Sequence, residues 1–285
     1  MLINLKEMLQ AAEQNNCAVG SYNVYNLESI LAVKEAVETT KLPAIIAFGE
    51  SYTAHAPIEA IASIVHTLFM TSTVPVVLHL DHAQNPSVIK QAIDCGFTSV
   101  MYDGSRLPLA ENIANSQKIV QMAHASNVSV EGELGYLNNE DGSGEASASC
   151  TDVNDAVNYT ENSGVDALAI AIGNAHGLYK STPQLNFAQL KKLHENVQCP
   201  LVLHGSSGIS FADLQKAIDL GIRKFNINTE VSTTGVKALR EYLAQNPYEQ
   251  NPNLRLETVL KYARSQMSCK IAEFMQIFAN KEKIK

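Results

Sequence analysis

Eight short runs of β-branched and apolar residues alternate along this chain with stretches of helical period, and few folds accommodate that order. The runs are Ala18–Tyr22, Ala44–Ala47, Val76–Leu80, Ser99–Tyr102, Val128–Glu133, Ala167–Ile172, Leu201–His204 and Lys224–Ile227. Between them Leu27–Thr39, Ile58–Thr71, Ser87–Cys95, Leu109–Ser126, Val153–Asn162, Phe187–Glu195 and Phe211–Leu220 carry apolar residues near i, i+3, i+4 spacing. Pro43, Pro75 and Pro200 stand just before runs, and Gly96, Gly164 and Gly221 shortly after helical stretches. With no break in composition, this predicts one α/β domain over residues 1–285, a (β/α)8 TIM barrel with extra C-terminal helices. A doubly wound sheet would bring a Gly-rich first turn, and Ser21-Tyr22-Asn23-Val24 is none. Beyond Asn246, Pro247 and Pro252 mark a turn and Leu260–Lys281 reads as a terminal helix. Leu134–Ser149, rich in Gly, Asn, Ser, Glu and Asp, reads as a long irregular loop, which in a compact domain is functional or disordered.

In such a barrel the chemistry comes from the C-terminal strand ends. His82 follows the third run, His176 follows the sixth and His204 ends the seventh, so three imidazoles are expected on one rim. Three histidines with an open fourth position make a catalytic rather than a structural zinc site, and cobalt or manganese suits the same geometry. Asp103, Glu131, Glu133, Asn226 and Asn228 fall at the same ends. Asp81, beside a ligand, is open to three readings: fourth ligand, orienting group or catalytic acid. His79 shares the face of Asp81 and reads as barrel interior, whereas His55, His66, His124 and His194 lie in helical or loop stretches and read as ordinary polar residues. Two segments suit a phosphate: Gly205-Ser206-Ser207-Gly208, and Asn226-Ile227-Asn228-Thr229 running into a helix. Glycines admit backbone N–H groups, hydroxyls add donors, and the helix N-terminus adds positive dipole.

A net charge of −8 argues against nucleic acid or an anionic membrane as partner, while leaving room for a local anion site. Five scattered cysteines without a C-x-x-C pair suit a reducing compartment. The opening Met1-Leu2-Ile3-Asn4-Leu5-Lys6 is not that of a secretory signal, and no apolar run is long enough to span a bilayer. The expectation is a cytoplasmic protein.

These motifs together resemble the class II, zinc-dependent ketose-bisphosphate aldolases, which act on fructose or tagatose 1,6-bisphosphate. The resemblance runs through Ala18-Val19-Gly20-Ser21-Tyr22-Asn23-Val24-Tyr25-Asn26-Leu27-Glu28, His79-Leu80-Asp81-His82 and Val100-Met101-Tyr102-Asp103-Gly104-Ser105. It continues in Val130-Glu131-Gly132-Glu133-Leu134-Gly135, Gly173-Asn174-Ala175-His176-Gly177, Leu203-His204-Gly205 and Asn226-Ile227-Asn228-Thr229-Glu230. It implies that His82, His176 and His204 hold zinc, and that Asp81 is the acid/base at the cleaved C3–C4 bond. Gly177, Gly205, Ser207, Asn226 and Thr229 would contact dihydroxyacetone phosphate, with Ser206 and Asn228 in the same stretches. Asp103, Glu131 and Glu133 would position the metal or form an alternative metal site, and a monovalent cation (Na+ or K+) would support the phosphate loops. The implied reaction runs through a metal-stabilised enediolate, in a homodimer or homotetramer. The sixth and seventh motifs are most similar to those of the tagatose enzymes.

Departures fall where substrate preference is set. The family's loop glutamate, proposed to move a C–H proton, aligns without gaps to Asp141 and with a one-residue shift to Glu140. Asparagines Asn138 and Asn139 replace the glycines before it, Arg106 and Leu107 replace a histidine-rich stretch, and Gly49 stands where serine or threonine is frequent. The alternative reading is a non-catalytic or accessory sugar-phosphate-binding barrel; a metallohydrolase barrel would need an early H-x-H strand, which is missing.

Overall fold

Among the described residues every strand runs the same way round a closed sheet. The computed structural model describes residues 1–135, 150–175, 177, 179 and 183–280. The strands β1 (Val19–Asn23), β2 (Ala44–Gly49), β3 (Val76–Ala83), β4 (Ser99–Tyr102), β5 (Ser129–Leu134), β6 (Ala167–Ile170), β7 (Leu201–Leu203) and β8 (Ile222–Ile227) pair in parallel in sequence order, and β8 closes on β1. Helices α2 (Leu27–Thr40), α3 (Ile58–Phe69), α4 (Pro86–Asp94), α5 (Leu109–His124), α6 (Val153–Ser163), α7 (Phe187–Asn196), α8 (Phe211–Asp219) and α9 (Thr229–Gln245) each follow a strand, which is a (β/α)8 barrel. Since α9 is the eighth barrel helix, the expected C-terminal additions reduce to α10 (Leu256–Phe278), which packs along α2 and α9. Among the described residues no helix is long and apolar enough to cross a membrane.

The outward residues of the strands, such as Ile46, Leu78, Val130, Leu168 and Phe225, pack under the helices in the main core. The inward residues split by height. Val19, Ile45, Val77, Met101, Ala167, Ala169 and Val202 form an apolar floor. One pleat higher the interior turns polar, with buried Ser21, His79, Glu131 and Lys224, and then Asn23, Asp81, Glu133 and Asn226.

The floor is closed by α1 (Leu5–Gln14), a helix outside the eight predicted repeats. Asn4 caps it by accepting the Glu7 N–H at 2.9 Å. Leu5, Met8, Leu9 and Ala12, spaced as one helical face, enter the barrel end and join the floor cluster.

Most strand boundaries differ from the sequence reading by a residue or two, and at the ends of β3, β6 and β7 the difference bears on the site. β3 runs on to Ala83 because a bulge keeps it paired with β4 after the register shifts between Leu80 and Ala83. β6 stops at Ile170 because the Asn174 side chain accepts the Ile172 N–H at 2.7 Å in place of a neighbouring strand. β7 ends at Leu203, leaving His204 just past it.

Leu9→Ala should lower unfolding free energy by about 2–5 kcal/mol, the range for emptying a packed leucine site. Urea denaturation measures this, and a loss below about 1 kcal/mol would mean that α1 is only laid against the barrel.

Candidate metal and substrate site

At the end of β3 the backbone leaves its alternation. Asp81 points into the barrel, and strict pleating would send His82 outward. Instead His82 takes φ 47°, a left-handed conformation uncommon for a residue with a Cβ, and it lines the same pocket as Asp81. The pocket opens at the C-terminal ends of the strands and is further lined by Asn23, Tyr52, Gly177, His204, Gly205, Ser207, Asn226, Asn228 and Thr229.

His82 and His204 face each other with Nε2 of the first 2.9 Å from Nδ1 of the second. Each ring is held from behind by a carboxylate. His82 Nδ1 lies 3.3 Å from Asp103 Oδ2 and 3.5 Å from Glu133 Oε2, and His204 Nε2 lies 2.8 Å from Glu131 Oε1. A carboxylate accepts, so the network assigns the ring protons to these rear nitrogens. Two neutral imidazoles would then point lone pairs at one another across 2.9 Å, an arrangement that needs positive charge between them. Two nitrogens on one tetrahedral zinc, each about 2.0–2.1 Å from it, lie about 3.3 Å apart. The observed pair is therefore within a few tenths of an ångström of a metal-binding spacing, and Asp81 brings a third ligand atom within 4.8 Å. His82, Asp103 and Glu133 form a second group of the same tightness.

The electrostatics favour a cation at this spot. Burial opposes charge on His82, but Asp81, the hydrogen bond to Asp103, and Glu133 push it up to about 10. Burial likewise opposes charge on Asp81, yet His82, His204 and Lys224 hold its carboxyl well below the usual range. Asp81 Oδ2 accepts from Asn23 Nδ2 at 2.9 Å and Oδ1 from Asn226 Nδ2 at 3.0 Å, so both oxygens are committed to donors. Burial, then the charge of Asp103, raises Glu133 well above the carboxylate range.

Beneath lies a wholly buried ion pair. Lys224 Nζ stands 3.0 Å and 2.8 Å from the two oxygens of Glu131, and this cation outweighs burial to keep Glu131 ionised. His79 donates or accepts at Ser99 Oγ, 2.8 Å away; burial and then Lys224 depress it to about 3, so it is neutral.

On the opposite wall, Gly177 (φ 95°) and Gly205 (φ 60°) take left-handed turns that bring backbone to the pocket. Ser207, Asn226, Asn228 and Thr229, the last opening α9, complete a neutral, donor-rich surface suited to an anion. Ser206, expected with them, is turned inward: its hydroxyl donates to the Leu203 carbonyl at 2.9 Å, and it is not part of the lining. His176, Glu140 and Asp141 lie outside the described residues.

Asn23, Asn174, Tyr179 and Tyr52 also build the site, although no spacing or periodicity in the sequence assigns them a role. Asn174 Nδ2 donates to the His204 carbonyl at 3.0 Å, and the Tyr179 hydroxyl donates to the Gly205 carbonyl at 2.8 Å, so the β6 loop fastens the β7 loop. Asn23 and Asn174 lie within the stretches that resemble the aldolase family, the signal the sequence carries for them.

Residues 3–283 match the family described as Fructose-bisphosphate aldolase class-II. A fructose-bisphosphate aldolase of Staphylococcus aureus (strain Mu50) is 37% identical over 279 residues, spanning 96% of this chain and 97% of its own. The YdjI aldolase of Escherichia coli K12 superposes with a TM-score of 0.87 at 34% identity, over 98% of this chain and 97% of that one. A fructose-bisphosphate aldolase of Campylobacter jejuni has the same fold, with a TM-score of 0.84 at 24% identity over 97% and 95% of the two chains.

Lys224→Met would strand Glu131 as a lone buried charge and should cost about 3–5 kcal/mol in denaturant unfolding. Adding Glu131→Gln should recover most of that loss. Glu131 has a folded pKa below its unfolded one, so its stabilisation is fully present above the ordinary carboxylate range and is lost progressively as pH falls from that range through the lower folded value. The acid limb of the unfolding curve should accordingly be flatter in the double variant than in the parent.

Proposed function

Because this chain belongs to the class II fructose-bisphosphate aldolase family, we propose that it reversibly cleaves a ketose 1,6-bisphosphate, tagatose or fructose, to dihydroxyacetone phosphate and glyceraldehyde 3-phosphate. The observation that carries the reading is the facing imidazole pair, 2.9 Å apart and backed by carboxylates, next to an ionised Asp81. His82 and His204 would hold zinc, with His176 as the third ligand. When bound, the ion supplies the positive charge that stabilises electrons left on the carbonyl side as C3–C4 breaks. Asp103, Glu131 and Glu133 orient the two rings and set which nitrogen faces the ion.

Asp81 is the acid/base at the C4 hydroxyl oxygen: it takes the proton during cleavage and returns it during condensation. Asn23 and Asn226 keep its carboxylate aimed and ionised, which a barrel built only for binding would not require. Gly177, Gly205, Ser207, Asn226, Asn228 and Thr229 would hold the C1 phosphate through backbone and side-chain donors, while Ser206 braces the turn. A sodium or potassium ion would sit against the carbonyls of these phosphate loops. Asp141, or Glu140 one residue before it, would move the C–H proton of dihydroxyacetone phosphate. The protein would work in the cytoplasm as a homodimer or homotetramer.

Two measurements test this. A chelator such as 1,10-phenanthroline should abolish cleavage of both bisphosphates and added zinc should restore it; activity indifferent to chelation would end the metal account. Asp81→Asn should reduce kcat by about 10²–10⁴ with little change in thermal unfolding, as for loss of a positioned acid/base. Comparing kcat/KM for the two sugars decides between tagatose and fructose, which differ at C4 beside Asp81.

A further inference from the structure

Immediately after β2 the chain makes one 3-10 turn, Glu50–Ala54, that sets Tyr52 over the pocket mouth. The tyrosine is fixed on three sides. Its ring packs edge-on against Tyr25 with centroids 5.6 Å apart, and tilted against Phe48 at 6.2 Å. Its hydroxyl accepts from Asn228 Nδ2 at 2.9 Å, reaching over the end of β1 to β8. The turn itself is tied to the β3 loop, where Glu50 Oε2 accepts the Gln84 N–H at 2.7 Å.

The ring lies at van der Waals distance from where a side chain on the end of β2 would begin. Gly49, the last residue of β2, pairs in register with Asp81. A Cβ built there would lie 3.4 Å from two atoms of the Tyr52 ring, so any larger side chain at 49 would press on it. The space beyond Asp81 is thus bounded by an aromatic edge and a phenol hydroxyl rather than by a short strand-end side chain.

The substrate's direction follows from the proposed function, on which this inference rests. With the phosphate against β6–β8 and C4 at Asp81, the carbons past the cleaved bond must run toward Gly49 and Tyr52. We propose that Tyr52 is a specificity-determining residue of the aldolase reaction, meeting the aldehyde half of the ketose with its ring and hydroxyl. Its ring limits the length of that half, and its hydroxyl hydrogen-bonds a polar group on it.

Two partial reactions separate the halves of the substrate. Exchange of the dihydroxyacetone phosphate C–H proton with deuterated water needs no aldehyde, whereas condensation needs one. In Tyr52→Phe, which keeps the ring, the ratio of condensation kcat/KM with glyceraldehyde 3-phosphate to the exchange rate should fall about tenfold or more, as when a site loses a hydrogen bond to its substrate. Gly49→Leu, whose side chain would extend beyond that Cβ against the ring, should lower the same ratio, and Tyr52→Ala should raise relative kcat/KM for longer aldehydes. If exchange and condensation fall by the same factor, Tyr52 acts only through Asn228 on the phosphate wall and the proposal is overturned. Unchanged ratios in all three variants, with thermal unfolding like the parent's, overturn it as well. A parent protein that exchanges no proton would instead remove the aldolase reading of the pocket, and the proposal with it.

Discussion

Two imidazole nitrogens held 2.9 Å apart, neither able to retreat, organise the upper half of this barrel. His82 cannot swing away because its rear nitrogen faces Asp103 and Glu133, and His204 cannot because Glu131 holds it from the barrel axis. Those carboxylates are anchored in turn. Asp103 accepts from the Ser105 hydroxyl at 2.6 Å and its N–H at 3.1 Å, and Glu131 rests on Lys224. The constraint propagates outward to the backbone, where His82 holds a left-handed φ. Strain of that kind costs of order 1–3 kcal/mol and persists only where its surroundings over-determine it.

The price of such a charged upper layer is a careful division of the interior by height. Alanine, valine, Ile45 and Met101 fill the floor, and α1 seals it. One pleat up, the same alternation delivers His79, Glu131 and Lys224 to the axis, each wholly buried. Burying an unpaired ammonium or carboxylate would be prohibitive, and the pairing of Lys224 with both Glu131 oxygens is what makes the layer tolerable. Asp81, His82, Glu131 and Glu133 are then carried on strands, and Asp103 and His204 on the first residue past one, which limits their movement.

Strand positions were legible in the sequence because parallel strands buried on both faces read as bare apolar runs, and the polar residue ending a run marks the rim. Asp81, His82 and His204 were found that way. The closing helix α1 also carried its signal, since Leu5, Met8, Leu9 and Ala12 share one face, but ten residues ahead of the first strand have no repeat to belong to. What periodicity cannot reveal is a side chain whose partner lies far along the chain. Asn23 meets Asp81 58 residues on, and Asn228 meets Tyr52 across 176 residues. The serines at 206 and 207 illustrate the limit at its sharpest. Adjacent and chemically identical, they are separated by a turn that gives one hydroxyl to the Leu203 carbonyl and the other to the pocket.

The seal made by α1 also sets how this molecule responds to its ionic surroundings. Mobile ions screen exposed charges with a decay length of about 8 Å at physiological strength. The layer around Lys224 has solvent on neither side: α1 and the apolar floor lie below it, and the pocket groups lie above. Its internal attractions therefore belong to the dry interior and are insulated from added salt. The surface pairs Lys90–Asp94 and Lys237–Glu241 stand in open solvent, where the same salt screens them. Brine and fresh water would find the same field beneath the histidines, and differ in the surface pairs and in how charged molecules are drawn to the rim.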